Sequence, residues 1–136
     1  MDHTVVLRRL QRATDEHDLD TLVDCFASDY VNETPAHPAR GFRGRDQVRE
    51  NWRQIFAAVP DLRARELRSA VDGGSVWTEW EMSGTRRDGA AHLMRGVIVF
   101  GIADERIVSA RFYLEPVDTS DTDVNAAVRN AVGVTP

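Results

Sequence analysis

The chain has 136 residues, 42% hydrophobic and 29% charged, the balance of one ordinary globular domain with a core of its own. A net charge of -5 and seventeen scattered basic residues exclude the basic stripe of a nucleic-acid binder. No apolar run approaches the roughly 18–20 residues of a membrane span, the first residues lack the layout of a signal peptide, and a lone Cys25 excludes an internal disulfide and a Cys-based zinc site, so a soluble cytoplasmic protein is expected.

Val6, Leu10 and Ala13 recur at helical spacing and predict a first helix over 4–16. Asp18 is a natural N-cap for a second helix, whose buried stripe would be Leu19, Leu22, Val23 and Phe26. Tyr30 to Thr34 reads as a short strand, followed by a loop punctuated by Pro35 and Pro38. A third helix is expected over 45–59, with Val48, Trp52, Ile55, Phe56 and Val59 on one face and Pro60 as its stop.

From Asp61 the period changes to two, and strands are expected over 62–72, 75–84, 92–102 and 106–116. The turns between them, at Asp72-Gly73-Gly74, Arg87-Asp88-Gly89 and Asp104-Glu105, are short enough to impose antiparallel pairing. Three helices followed by a meander is an α+β layout, with the helices on the concave side of one curved, mainly antiparallel sheet. Alternation sorts the strands into two faces. Trp80, Met82, His92, Met94, Ile98, Phe112 and Leu114 fall on the side facing the helices. Trp77, Glu79, Glu81, Arg95, Val97, Val99, Arg111, Tyr113 and Glu115 fall on the convex side, which therefore carries much apolar surface. Residues 117–136 are expected to be a peripheral tail after a domain spanning 1–116, with a short helix capped by Asp121.

The order of these pieces resembles the NTF2-like superfamily and, within it, the SnoaL-like group of polyketide cyclases and their relatives, which neighbours ketosteroid isomerase. The resemblance rests on His17-Asp18-Leu19-Asp20-Thr21-Leu22 with Phe26, on Asp29-Tyr30-Val31, and on Gly44-Arg45-Asp46-Gln47-Val48. It continues through Trp80-Glu81-Met82-Ser83-Gly84-Thr85 and the strand Arg106-Ile107-Val108-Ser109-Ala110-Arg111-Phe112-Tyr113. It implies a cone-shaped fold around an apolar pocket. It also places Glu33 where ketosteroid isomerase keeps its general-base aspartate. The isomerase's two oxyanion donors would fall near Leu10 and Gly96, which cannot donate from a side chain. An epoxide hydrolase of this fold needs an aspartate where Phe112 stands, so neither activity is expected to transfer.

Glu33 at an apolar mouth and His92 at a strand start on the pocket face are the expected catalytic pair, suited to moving a proton. The expected substrate-binding wall is Val31, Trp52, Phe56, Trp80, Met82, Met94, Ile98, Phe112 and Leu114. His37 with Glu33 offers only two ligands on an irregular loop, short of the three or four a metal wants, so neither metal nor cofactor is expected. His3 and His17 carry no functional expectation. The implied function is cofactor-independent acid–base chemistry (isomerisation, cyclisation or dehydration) on a small hydrophobic carbonyl or polyketide-like compound. The alternative is a ligand-binding or dimerising module without chemistry. A homodimer through the convex sheet face is expected, because nothing else in the chain covers it.

Overall fold

The computed structural model describes residues 2–134; Met1, Thr135 and Pro136, the ends of the expected domain and tail, lie outside the described residues. Helix α1 (Thr4–Glu16) buries Val6, Leu7, Leu10, Ala13 and Thr14, one stripe at helical spacing. It ends because His17 adopts a left-handed conformation, its N–H turned back to the carbonyls of Ala13 and Thr14. The Asp18 carboxylate then accepts from the Thr21 N–H and hydroxyl, starting α2 (Leu19–Asp24) as the sequence predicts. The chain leaves this helix earlier than its apolar stripe suggests, and Phe26 opens strand β1 (Phe26–Glu33). A single 3-10 turn (Pro38–Arg40) and a two-residue strand β2 (Phe42–Arg43) lead into α3 (Arg45–Ala58). Gly44, at φ +88, makes that entry, and its N–H donates to the Tyr30 carbonyl at 2.7 Å. Strands β3 (Arg63–Asp72), β4 (Ser75–Thr85), β5 (Ala91–Ala103) and β6 (Arg106–Pro116) follow.

The six strands form one mixed sheet in the order β2-β1-β6-β5-β4-β3. Neighbours are antiparallel except β1 and β6, which run parallel with Asn32 opposite Ala110 and Glu33 opposite Arg111. The core lies between the helices and the inner sheet face, where Val76, Trp80, Ile98, Phe100 and Ala110 meet Val6, Leu10, Leu22 and Val48. A short relay holds its centre: the Trp80 indole N–H donates to Thr78 Oγ1, which donates to the Ile98 carbonyl.

The expected cone is corrected. Among the described residues the fold is α+β with four α-helices, three before the meander and a fourth, α4 (Val124–Ala131), after it, and its sheet stays open between the edge strands β2 and β3. Strong curling needs recurrent bulges. Here the β1–β6, β3–β4 and β5–β6 ladders each shift at one site, while β4 and β5 pair through eleven consecutive positions, Ser75↔Gly101 to Thr85↔Ala91, without a shift. Two strands also intervene between α2 and α3, so the helices do not form one N-terminal block. Helix α4 is capped by Asp123, not Asp121, and leaves Val124 and Val128 exposed. No helix among the described residues is long and apolar enough to cross a membrane.

Gly96 carries the closest approach in the sheet. At φ +150, with a Cβ that would collide with the Tyr113 carbonyl oxygen and come within 2.8 Å of Leu114 Cα, the position has no room for a side chain. Gly96→Val should lower unfolding free energy by about 3 kcal/mol or more in a urea titration, the scale of a steric clash added to backbone strain. A fall of a few tenths would show that the strand relaxes freely.

Candidate functional site

A cavity of about 430 Å³ opens between α3, β1 and the inner ends of β4, β5 and β6. Each side contributes by its own periodicity. Helix α3 turns Val48, Asn51, Trp52 and Ile55 inward at spacings of three and four. The β4–β5–β6 ladder brings Met82 opposite Met94, with His92 two residues along, and Phe112 and Leu114 share their face. Strand β1 gives Phe26, Tyr30 and Asn32, with Thr34 just beyond its end; Arg40 and Phe42 close the mouth.

Of the expected wall, Trp52, Met82, Met94, Phe112 and Leu114 line this cavity, and His92 lies among them. Val31 and Glu33 do not. Alternation along β1 puts Tyr30 and Asn32 inside, so Val31 and Glu33 face outward. Glu33 is solvent-exposed on the outer face, with Oε2 3.8 Å from Arg111 Nε. The acid expected at the cavity mouth is therefore on the wrong side of the sheet for that role. Trp80 and Ile98 share the inner face but sit deeper, around a void of about 30 Å³. Phe56 is taken up by His17, whose ring stacks on it with centroids 4.3 Å apart.

His17 is one of two histidines with unforeseen structural roles. Its Nε2 lies 3.0 Å from the Leu62 carbonyl, tying the end of α1 to the strand entry beside the cavity. His37 Nε2 is 2.8 Å from Glu115 Oε1, joining the loop that carries Arg40 to the end of β6. Neither belongs to a metal centre: among the described residues no three His, Cys, Asp or Glu side chains are grouped to hold an ion. Cys25 is fully buried, its thiol pushed up by desolvation and donating to the Thr21 carbonyl, which leaves it inert.

The polar heart of the cavity is a pair on β1. Tyr30, 1% exposed, donates its hydroxyl to Asn32 Oδ1 at 2.7 Å. Burial pushes the Tyr30 phenol well above the usual tyrosine range, so it stays a donor. The amide oxygen of Asn32 is thereby occupied and its Nδ2 is left to face the cavity. The signal for this pair was a Tyr-x-Asn spacing with both members on one strand face, visible only once the inner face of β1 is known.

A family model described as the SnoaL-like domain matches residues 7–110. No curated protein matches the chain at a significant level. An epoxide hydrolase from Mycobacterium tuberculosis, described as LEH-like, superposes with a TM-score of 0.71 at 21% identity, covering 96% of each chain. A second M. tuberculosis protein, in complex with estradiol-17β-hemisuccinate, gives 0.69 at 18% identity, over 80% of this chain and 90% of that one. A protein of ketosteroid isomerase-like fold from Catenulispora acidiphila, in complex with trimethylamine, gives 0.69 at 16% identity, over 79% and 84%. These likenesses are likenesses of fold.

Tyr30→Phe tests the polar pair. It strands Asn32 Oδ1 in a buried site, and unfolding free energy should fall by about 1–3 kcal/mol in chemical denaturation. The folded phenol is raised above the unfolded one, so its contribution is complete below the unfolded value of about 10 and is lost as pH rises through the folded one. An alkaline titration followed by near-ultraviolet absorbance should show Tyr30 ionising only as the protein unfolds, a phase absent from the variant.

Proposed function

The chain belongs to the SnoaL-like domain family, and on that footing we propose that it binds a small, flat, apolar molecule in the cavity between α3 and the inner sheet face. The observation that carries this reading is the wall itself. Trp52, Phe42, Met82, Met94, Phe112 and Leu114 supply broad apolar surface, and a few convergent polar groups orient what lies against it. That a relative of this fold holds a steroid ester supports the idea that rigid apolar molecules suit such a space.

A catalytic reading is favoured by one observation, the presence of His92 in the wall. Isomerisation, cyclisation and dehydration each require a proton to be taken and returned, and an imidazole is the side-chain type that does so near neutral pH. Among the described lining residues no carboxylate is available, so His92 would act without an acidic partner. Binding is therefore the primary function proposed, with proton transfer assigned to His92.

Titration with an apolar aromatic compound such as biphenyl, followed by tryptophan fluorescence, tests the binding. Trp52→Ala should weaken it roughly tenfold, about 1.4 kcal/mol. Glu33→Gln, on the far face of the sheet, should leave affinity and any turnover unchanged, whereas His92→Gln should keep affinity and abolish turnover. Saturable binding that ignores Trp52→Ala would place the ligand elsewhere.

We further propose a homodimer through the outer sheet face. Its support is the exposure there of Trp77 (51%) and Tyr113 (42%). Alongside lie Val97, Val99 and the alternating charges of Arg95 with Glu81 and Arg68 with Glu79. Both charge signs on one patch let a twofold axis match each group with its opposite. Light scattering at micromolar concentration should report a dimer for wild type and a monomer for Val97→Glu. A monomeric wild type would end the proposal.

A further inference from the structure

The cavity inverts the charge of its protein. The chain carries a net charge of -5, yet among the described residues lining the cavity there is no aspartate or glutamate. The polar groups there are the Tyr30 phenol, the Asn32 and Asn51 amides, the Thr34 hydroxyl, the His92 imidazole and the Arg40 guanidinium. Carboxylates close by in sequence or space are engaged outside: Glu33 is directed at Arg111 and Glu115 at His37.

Asn32 sharpens this into a site. Its Oδ1 accepts from the Tyr30 hydroxyl, and its Nδ2 can only donate. The residue is 8% exposed, and its amide nitrogen makes no hydrogen bond to any described residue. That nitrogen is open to the cavity space rather than sealed in the core, so an oxygen that arrives with a ligand can accept from it. Arg40 stands close by. Asn32 pairs with Phe42, two residues beyond Arg40, so guanidinium and amide belong to the same side of the cavity. The loop bearing Arg40 is braced by its own turn, with Arg40 N–H on the His37 carbonyl at 2.9 Å, and by the His37–Glu115 contact. No carboxylate among the described residues pairs with Arg40. It is a cation at the entrance of an apolar chamber whose charge is not matched by the protein.

We propose that the cavity selects apolar molecules bearing a carboxylate, the anion held between Arg40 and Asn32 Nδ2 and the hydrocarbon against Trp52, Met94 and Leu114. This rests on the binding reading above and adds the polar end of the ligand. An ionised acceptor fits both groups: the guanidinium offers paired donors to a carboxylate, and charge-assisted hydrogen bonds are roughly twice as strong as neutral ones. A neutral carbonyl would satisfy Asn32 alone. An ammonium ligand would meet the like charge of Arg40 at the mouth.

Calorimetry with three probes of one shape tests this: biphenyl-4-carboxylate, biphenyl-4-carboxamide and 4-phenylbenzylamine, at neutral pH and low salt. The carboxylate should bind about tenfold tighter than the carboxamide, and the amine weakest. Arg40→Gln, at an exposed position where folding is not at stake, should bring the carboxylate down to the carboxamide's affinity and leave the carboxamide unchanged. Asn32→Asp, which sets a carboxylate against the ligand's own, should weaken the carboxylate most. Equal binding of acid and amide by wild type, tighter binding of the amine, or an undiminished acid preference in Arg40→Gln would each overturn the inference while leaving apolar binding intact. Failure of all three probes to bind wild type would overturn the binding reading, and this inference with it.

Discussion

The Tyr30 hydroxyl donates to Asn32 Oδ1 at 2.7 Å inside the core, and the two side chains can meet only because they share one face of β1. That choice of face propagates. With Tyr30 and Asn32 inward, Phe26 and Thr34 also reach the cavity, and Val31 and Glu33 must turn outward. Slipping the strand by one residue would exchange the sets, burying a glutamate and exposing a tyrosine, both expensive. The pair therefore anchors register, cavity wall and the polarity of what the wall presents. It also keeps Glu33 out of the described cavity lining.

Much of the architecture was legible because its signals are local. The meander strands fall within a residue or so of their expected bounds, since period-two alternation is broken at Gly73, Gly89 and Asp104-Glu105, where the backbone takes positive φ. Helices α1 and α3 follow their apolar stripes, and Asp18 caps α2 as its position suggests. The inner faces of β4, β5 and β6 were readable because long runs of alternating size and charge leave one solution. Strand β1 was not. It follows directly on α2 and ends in two adjacent polar residues, Asn32 and Glu33, either of which satisfies a pattern of apolar in and polar out. Only the parallel pairing with β6, a contact some 78 positions away in sequence (Asn32 with Ala110), settles which faces inward. The openness of the sheet was equally invisible, because curvature depends on the number and place of bulges and alternation does not reveal them.

The outer face shows how charge is managed where burial is incomplete. Glu81 is shared by Arg95 at 2.9 Å and Arg65 at 3.5 Å, Arg68 meets Glu79 at 2.8 Å, and Arg111 approaches Glu33. Exposed pairs of this kind contribute little to stability individually. Of the acids near the cavity, Glu33 is drawn to Arg111 on the outer face and Glu115 to His37, and the cavity keeps amides, two hydroxyls, an imidazole and one unmatched guanidinium. Both faces follow from a single alternation of side chains.

Two of the chain's three methionines, Met82 and Met94, line the cavity opposite each other on neighbouring strands. Methyl-labelled methionine NMR during titration with an apolar aromatic carboxylate is therefore the most direct test that this cavity is the binding site. The account predicts saturable shifts of both methyl signals, with the Trp77 indole on the outer face unmoved. Unchanged Met82 and Met94 signals alongside a shifting Trp77 would contradict it.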